Sequence, residues 1–174
     1  MKKTLIALAL ISAPVLMSTA NAADGSINFT GNITDAACTV DTNSASQTVT
    51  LGNVSSAAFN AVGSTAAPTK FDIKLTNCPE TVTSAAVKFD GTINATNSDL
   101  LSVSSDSTAT GVGIAIYEAN SSTQVPMLTS SASQTIDSTL ATNTLSFVAK
   151  YMATAAKVTA GSANAVTDFT IIYN

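Results

Sequence analysis

The chain has 174 residues, of which 45% are hydrophobic and only 10% are charged, and it contains no histidine. Its seven cationic residues are all lysines, and its pI is about 4.4. The lack of histidine removes the commonest general base and metal ligand. The acidic balance argues against nucleic acid or an anionic lipid surface as a partner. Composition therefore favours a structural or binding module without metal or cofactor over an enzyme.

Residues 1–22 have the pattern of a secretory signal peptide. Two lysines follow the first residue, a largely apolar run covers residues 5–17, and Ala20-Asn21-Ala22 supplies the small residues that signal peptidase requires. The apolar run is too short to cross roughly 30 Å of hydrocarbon as a helix. We expect cleavage after Ala22, with cleavage after Ala20 as the alternative. The mature chain then carries five lysines and eleven acids, a formal charge of −6.

The two cysteines, Cys38 and Cys78, are expected to form a disulfide. They are the only cysteines in the chain, and exported proteins mature in an oxidising compartment. The chain-entropy model gives a bridge closing a loop of this length a stabilisation of roughly 4 kcal/mol. The alternative, a free catalytic thiol, has no histidine to activate it. The mature chain has the length of one domain.

Alternation of apolar and polar residues indicates β-strands along most of the mature chain. A period of two, typical of strands with one buried face, recurs over residues 27–33, 71–75, 112–117, 145–151 and 169–173. Thr48–Leu51 and Ala85–Phe89 are shorter candidates. The alanines after Met152 would tolerate a helix. Seven or so antiparallel strands predict an all-β sandwich with Greek-key connections, of immunoglobulin type.

Two Ser–Lys pairs have the spacing of a nucleophile and its base. They are Ser84 with Lys88 and Ser146 with Lys150. The even spacing of each pair within a predicted strand favours the competing interpretation, in which both side chains are ordinary surface residues.

Both ends of the mature chain carry strand patterns, although terminal segments commonly fray. Residues 23–34 are patterned ahead of the first cysteine, and the last strand places Phe169, Ile171 and Tyr173 on one face. Pairing of both segments within their own domain is the simpler interpretation. The pattern alone leaves pairing with another chain open.

The order and spacing of several motifs resemble those of chaperone/usher fimbrial subunits, especially those of type 1 pili. Gly25-x-Ile27-x-Phe29-x-Gly31-x-Ile33 ahead of Cys38 is similar to the mature N-terminus of these pilins. The family's spacing continues from Phe59 through Cys78. Gly161, fourteenth from the C-terminus, and the penultimate Tyr173 resemble its chaperone-recognition pattern. The resemblance covers essentially the whole mature chain.

The resemblance implies an incomplete immunoglobulin-like sandwich that lacks its final strand and is completed by donor-strand exchange, a form of β-strand addition. It implies a signal peptide at 1–22, a donor-strand extension at 23–34 and a pilin domain at 35–174. The implied partners are other pilin subunits, a periplasmic chaperone and an outer-membrane usher, with no nucleic acid. The implied location is the cell-surface fimbrium, reached through the periplasm, where the fibre supports adhesion.

The same resemblance assigns residues to two surfaces. The donor strand comprises Gly25, Ile27, Phe29, Gly31 and Ile33. The acceptor groove and chaperone-recognition surface comprise Gly161, Phe169, Ile171, Tyr173 and Asn174.

The length of the chain bears on these expectations in two ways. With cleavage after Ala22, only two residues precede Gly25, so the extension is shorter than in type 1 major subunits. The length leaves no room for the separate receptor-binding domain of a tip adhesin. The alternative function is an exported soluble β-sandwich that acts as a binding domain or an enzyme.

Overall fold

The structure, a computed structural model, describes residues 25–31, 33 and 37–173. The expected signal peptide with both cleavage sites, and Asn174, lie outside these residues. Residues up to Ile33 and residues from Thr34 onward form two separate units, each described by itself. In the described part of the chain, no helix is long and apolar enough to cross a membrane.

The larger unit contains two antiparallel sheets. The strands of the first sheet are β1 (Thr39–Val40), β2 (Thr65–Thr76), β4 (Leu101–Ser102), β5 (Val112–Glu118), β6 (Gln124–Val125) and β8 (Thr142–Ala153). Their spatial order is β1-β2-β8-β5-β4, and β6 also pairs with β5. The two longest strands, β2 and β8, lie side by side in this sheet, and β8 is its central strand.

The second sheet is smaller and has three strands. They are β3 (Ser84–Gly91), β7 (Gln134–Thr135) and β9 (Thr167–Tyr173), with β3 between the other two. The helical content of the described chain is one short α-helix, α1 (Thr42–Ala45), and a single 3₁₀ turn at Ser56–Ala58. Asp41 caps α1, because its Oδ1 accepts a hydrogen bond from the backbone N–H of Asn43 at 3.0 Å.

Three phenylalanines join the two sheets. Phe71 lies on β2, Phe147 on β8 and Phe89 on β3, so their contacts cross from the first sheet to the second. The rings of Phe89 and Phe147 meet edge to face with centroids 5.2 Å apart, and Phe71 lies 5.7 Å from Phe147. Edge-to-face aromatic pairs add to the stabilisation that burial provides. Two antiparallel sheets packed face to face confirm the predicted all-β sandwich.

The predicted disulfide between Cys38 and Cys78 is confirmed. Its two cysteines flank β1 and β2, whose residues Thr39 and Thr76 are paired in register. Beside the bridge, the buried side chain of Asn143 contacts the Cys78 Sγ at 3.7 Å and donates to the backbone oxygen of Asp137 at 3.0 Å. The disulfide therefore fixes one end of the sandwich, together with the loop at Asp137.

One expectation about the strands, that each has a single buried face, is wrong for β5. Both faces of β5 are buried, because Ala115 and Tyr117 pack with Leu100 and Val148 in a second apolar cluster outside the main core. The alternation of apolar and polar residues therefore predicted the strand, but it did not predict that Leu100 and its neighbours cover the outer face of that strand. The helix considered after Met152 does not form, since β8 continues to Ala153 and the chain then bends through residues 154–157.

Candidate strand-acceptor site

The C-terminal strand β9 is an edge strand. Along its whole length it pairs with β3, from Ala85 opposite Tyr173 to Gly91 opposite Thr167. Among the described strands, none pairs with its other edge. An edge strand presents a row of unpaired N–H and C=O groups, which is a template for a further strand. Seven residues of β9 offer a template about 24 Å long.

The opposite edge of the second sheet is closed, in contrast to β9. The backbone N–H of Leu128 donates to the Phe89 oxygen at 2.9 Å, and that of Ser131 donates to the Val87 oxygen at 2.8 Å. The Ser131 hydroxyl accepts from the Val87 N–H at 2.9 Å, and β7 continues the cover. Leu128 has φ +65°, a left-handed conformation that interrupts a regular strand. The sheet is therefore open to strand addition at β9.

The inward face of β9 consists of large apolar side chains that are only half-buried. Phe169, Ile171 and Tyr173 pack against the main core, whereas Asp168 and Thr170 between them are exposed. Residues of this size are usually fully covered in a complete sandwich core. The core is thus partly uncovered along the open edge.

A second half-buried segment borders the same core. Residues 48–54 make no backbone–backbone hydrogen bond with any described residue, yet Val49 and Leu51 pack against the main cluster. The prediction of a strand at Thr48–Leu51 is wrong for the single chain, because no neighbouring strand is present to pair with it. Its alternation is nevertheless typical of a strand. A segment with a strand pattern and no neighbouring strand indicates that the partner strand comes from elsewhere.

Contacts at both ends show how this segment and β9 are arranged. At one end, the Tyr173 hydroxyl donates to the Cys38 carbonyl oxygen at 3.3 Å. At the other end, Gly52–Val54 and Gly161–Asn164 line the same cavity, with a volume of about 480 Å³. The chain from Cys38 to Val54 therefore runs antiparallel to the C-terminal segment. Partly buried apolar side chains of both segments border the main core, and the surface that they form is called the acceptor groove; they are Val49, Leu51, Phe169, Ile171 and Tyr173.

The cavity at the end of the acceptor groove has apolar walls and a polar rim. Its apolar lining includes Phe59, Val112, Tyr151 and Val158. The Tyr151 hydroxyl donates to the Ala163 carbonyl oxygen at 3.2 Å, and burial raises the pKa of this tyrosine above its ordinary value. This hydrogen bond holds the segment before β9 in place.

Gly161 lines the cavity at the end of the acceptor groove, six residues before β9. A Cβ at this position would meet the Thr108 hydroxyl and would lie 2.5 Å from the Ala109 backbone nitrogen. The absence of a side chain lets Ser162 pack here, where its carbonyl oxygen accepts from the N–H groups of Thr108 and Ala109 at 3.1 and 2.9 Å. Gly161 is thus a close-packing residue that positions the start of the C-terminal segment.

Tyr173 closes the groove at its other end. Burial raises the pKa of the Tyr173 hydroxyl above its ordinary value. Among the C-terminal residues assigned by resemblance, the structure brings Phe169, Ile171 and Tyr173 together on one face of β9. Sequence reasoning missed Val49, Leu51 and the cavity, although the alternation at Thr48–Leu51 carried a signal for the first two.

The N-terminal unit exposes large apolar side chains. Ile27 and Phe29 are 80% and 92% exposed, and Ile33 is fully exposed. Its described residues belong to no strand, so the strand predicted over residues 27–33 is wrong for the isolated chain. Nothing lies within 4 Å of a Cβ added at Gly25 or Gly31. Three large exposed side chains in nine residues exceed the scattered apolar exposure usual for a soluble surface.

The two Ser–Lys pairs do not form dyads. The Ser146 hydroxyl donates to Asp72 Oδ1 at 2.7 Å, while the Lys150 ammonium donates to the Ser121 carbonyl oxygen at 2.6 Å. Lys88 forms an ion pair with Asp90 at 3.1 Å. These lysines and Ser146 are thus engaged in surface contacts.

An open edge beside a partly uncovered core defines a β-sandwich that accepts a strand. The model of the family described as "Fimbrial protein" matches residues 27–174. The chain is 47% identical over 154 residues to the fimbrial subunit type 1 of Salmonella typhimurium, covering 86% of this chain and 82% of that protein. It therefore belongs to the fimbrial protein family, and the resemblance found in the sequence is confirmed.

Solved pilus structures share the fold. A chaperone-usher pilus structure superposes with a TM-score of 0.65 at 26% identity, covering 87% of this chain and 96% of that chain. The P pilus rod subunit PapA superposes with a TM-score of 0.64 at 26% identity, covering 79% of this chain and 99% of that chain. The protein is accordingly a fimbrial subunit with the sandwich architecture of these pilins.

Proposed function

We propose that this chain is the structural subunit of a chaperone/usher pilus and polymerises head to tail by donor-strand exchange. Residues 23–34 of one copy enter the acceptor groove of the next copy and complete its second sheet beside β9. The resulting fibre supports cell adhesion. One observation carries the proposal. The same chain has an open apolar groove beside an edge strand and an exposed apolar segment with the alternation of a strand.

The donor segment matches the groove in length and in direction. Residues 25–33 span about 30 Å when extended, somewhat more than the length of β9. Every strand pair in the described sheets is antiparallel, and antiparallel ladders are slightly more stable per residue. A donor antiparallel to β9 places Ile33 at the cavity and Gly25 near Tyr173. Gly31 then lies where the donor backbone passes closest to the cavity rim, a position suited to a residue without Cβ.

Burial of the donor side chains stabilises the joint. Ile27, Phe29 and Ile33 each contribute about 1.5–3 kcal/mol on full burial, roughly 5–9 kcal/mol together before ordering costs. Backbone hydrogen bonds to β9 add to this. Between these residues, Asn28 and Thr30 face solvent, as the period of two requires. Such a joint dissociates slowly.

The donor and the acceptor groove are different surfaces, so their contact is heterologous. A heterologous contact that does not close a ring propagates as an open filament. Before assembly, the groove must be covered, since an exposed apolar groove leads to aggregation. A periplasmic chaperone provides that cover through Phe169, Ile171 and Tyr173, with basic residues of the chaperone holding the Asn174 carboxylate. The usher then releases the subunit to the cell surface.

Deletion of residues 23–34 tests the donor role. The shortened chain keeps β9 and its groove, so it should still form a periplasmic chaperone complex but should not be incorporated as a donor. Incorporation at normal levels would contradict the proposal. Recovery of the mature, unshortened chain as a stable monomer without chaperone would favour the alternative, an exported soluble binding domain or enzyme.

A matched pair of substitutions tests the period of two in the donor. Phe29→Asp places a carboxylate in the groove, where its desolvation is costly. Thr30→Asp places the same group on the solvent side. We expect the first variant to abolish dissociation-resistant polymer, scored on unheated denaturing gels, and the second to retain it. Equal effects of both changes would argue against strand insertion.

A further inference from the structure

We propose that successive copies also touch through their folded bodies, by a charge contact between Lys157 of one copy and an acidic group on the next. The acidic group consists of Asp41, Glu80 and Asp137. This inference rests on the proposed function, because donor insertion brings the two surfaces together. It adds a contact that fixes the orientation of one subunit against the next.

Lys157 stands at the end of the body that holds the cavity. It is exposed and immediately precedes Val158, which lines the cavity. Among the described residues it makes no ion pair, whereas Lys88 is paired with Asp90 and Lys150 is bound to a carbonyl. The segments around the cavity, residues 104–111 and 154–164, contain no other lysine. Lys157 is therefore the cation available on this surface.

The opposite end of the body, around the disulfide, is acidic. Glu80 follows Cys78 by two residues and is exposed. Asp137 is held beside the bridge, because its N–H donates to Asn143 Oδ1 at 2.9 Å and Asn143 contacts Cys78. Its carboxylate is exposed and accepts hydrogen bonds from the Thr139 N–H and hydroxyl.

The third acidic residue, Asp41, lies three positions after Cys38. Its backbone N–H donates to the Lys74 oxygen at 2.9 Å, which holds it beside the end of β2. Lys74 is therefore close to Asp41, but it lies between buried Ile73 and Leu75 and so points to the outer face of β2. The end that carries the disulfide thus presents the exposed carboxylates of Glu80 and Asp137 and the partly buried carboxylate of Asp41, which also caps α1.

Chain length brings the two ends together in a polymer. Ile33 of the incoming copy occupies the cavity of the receiving copy, and Cys38 follows five residues later. Five extended residues reach at most about 17 Å. The acidic end of the incoming copy must therefore lie against the cavity end of the receiving copy, where Lys157 is.

The charges decide what this contact does. Mature copies carry a charge of −6 each and therefore repel one another. A lysine that faces the acidic group is attracted to it and lowers this repulsion at the contact. A single exposed ion pair changes an equilibrium by up to about fivefold. That is too little to hold the polymer together. Complementary charges instead select one relative orientation of the two bodies.

Zero-length carbodiimide cross-linking of assembled fibres tests the contact. The reagent joins an amine to a carboxylate only when the two are in contact. Fibres are assembled from a mixture of ¹⁴N and ¹⁵N copies, so that peptide mapping separates links between copies from links within one. We expect mixed-isotope links from Lys157 to Glu80, Asp137 or Asp41, with a yield that falls at least about twofold at 1 M salt.

Two variants and one control sharpen the test. Lys157→Glu should still give dissociation-resistant polymer, with increased bending of the fibre in electron micrographs, and Glu80→Lys combined with Asp137→Lys in the same chain should restore straightness. Lys70→Glu, on the outer face of β2, should leave bending unchanged. Polymer without Lys157 links between copies, or equal bending for both lysine variants, would overturn this inference alone. Absence of polymer from the unaltered chain would overturn the proposed function.

Discussion

The Tyr173 hydroxyl donates a hydrogen bond to the backbone carbonyl oxygen of Cys38 at 3.3 Å, across 135 residues of sequence. The contact ties the end of the C-terminal strand to the residue that begins the disulfide-bonded body. Because β9 has a strand on one side only, this bond and the pairing with β3 hold its position. The acceptor groove therefore has one end fixed by a side chain and the other end formed by the cavity.

Tyr173→Phe is expected to weaken that fixed end. The change removes one hydrogen bond, worth about 1 kcal/mol, while the ring keeps its packing against the core. The measurement is the thermal unfolding midpoint of the chaperone-bound subunit, which should fall. Tyr117→Phe is the control, because the Tyr117 hydroxyl makes no hydrogen bond among the described residues. A larger drop for the control would contradict the role given to Tyr173.

Phe169→Ala combined with Tyr173→Ala is expected to reduce periplasmic chaperone complexes sharply. Both side chains lie on the groove face of β9, and each truncation removes about 3–5 kcal/mol of apolar contact where burial is complete. Co-purification with the chaperone measures the effect. Asp168→Ala with Thr170→Ala, on the exposed face of the same strand, should leave the yield unchanged. Equal yields from both double variants would show that the groove face of β9 does not bind the chaperone.

Most of the architecture could be predicted from the sequence because period two is a local signal. The strands containing Phe71, Phe89 and Phe147 were found from alternation alone, and the pairing of Cys38 with Cys78 followed from the number of cysteines and the compartment. The two-residue strands β1, β4, β6 and β7 were not predicted, because two residues cannot show a period. Their existence depends on long-range pairing that no local pattern records.

The groove was harder to predict because it exists where the domain lacks a strand beside β9. Alternation at Thr48–Leu51 and at Phe169–Tyr173 indicated strands, but a pattern does not say whether a partner is present in the same chain. The structure leaves the first segment unpaired and the second at an edge. The cavity beside Gly161 brings together segments more than a hundred residues apart, so composition and periodicity could not reveal it.

Acidification is expected to remove a small stabilising contribution at the disulfide end. The Thr139 hydroxyl and the Thr139 N–H bind the Asp137 carboxylate and hold its pKa below the ordinary value of 3.8. A carboxyl group with a lowered folded pKa contributes stability above its unfolded pKa and loses it as the pH falls through the folded value. Thr139→Ala should raise the pKa of Asp137 toward 3.8, as measured by NMR titration. Ser138→Ala should not change it, and a pKa unaffected by either change would contradict the assignment.

Gly161→Ala is expected to disturb the cavity end of the groove without removing any polar group. The new methyl group would meet the Thr108 hydroxyl and the Ala109 backbone nitrogen, and overpacking of this kind typically costs about 1–3 kcal/mol. Thr108→Ala in the same chain should restore little, because the backbone nitrogen of Ala109 still lies in the way. The measurements are the unfolding midpoint of the chaperone-bound subunit and the rate at which it accepts a synthetic peptide of residues 23–34. Ala160→Ser, one residue away on the exposed rim, controls for a general effect of added volume. If Gly161→Ala matched this control in both measurements, or if Thr108→Ala restored it fully, backbone packing at Gly161 would not be what shapes the cavity.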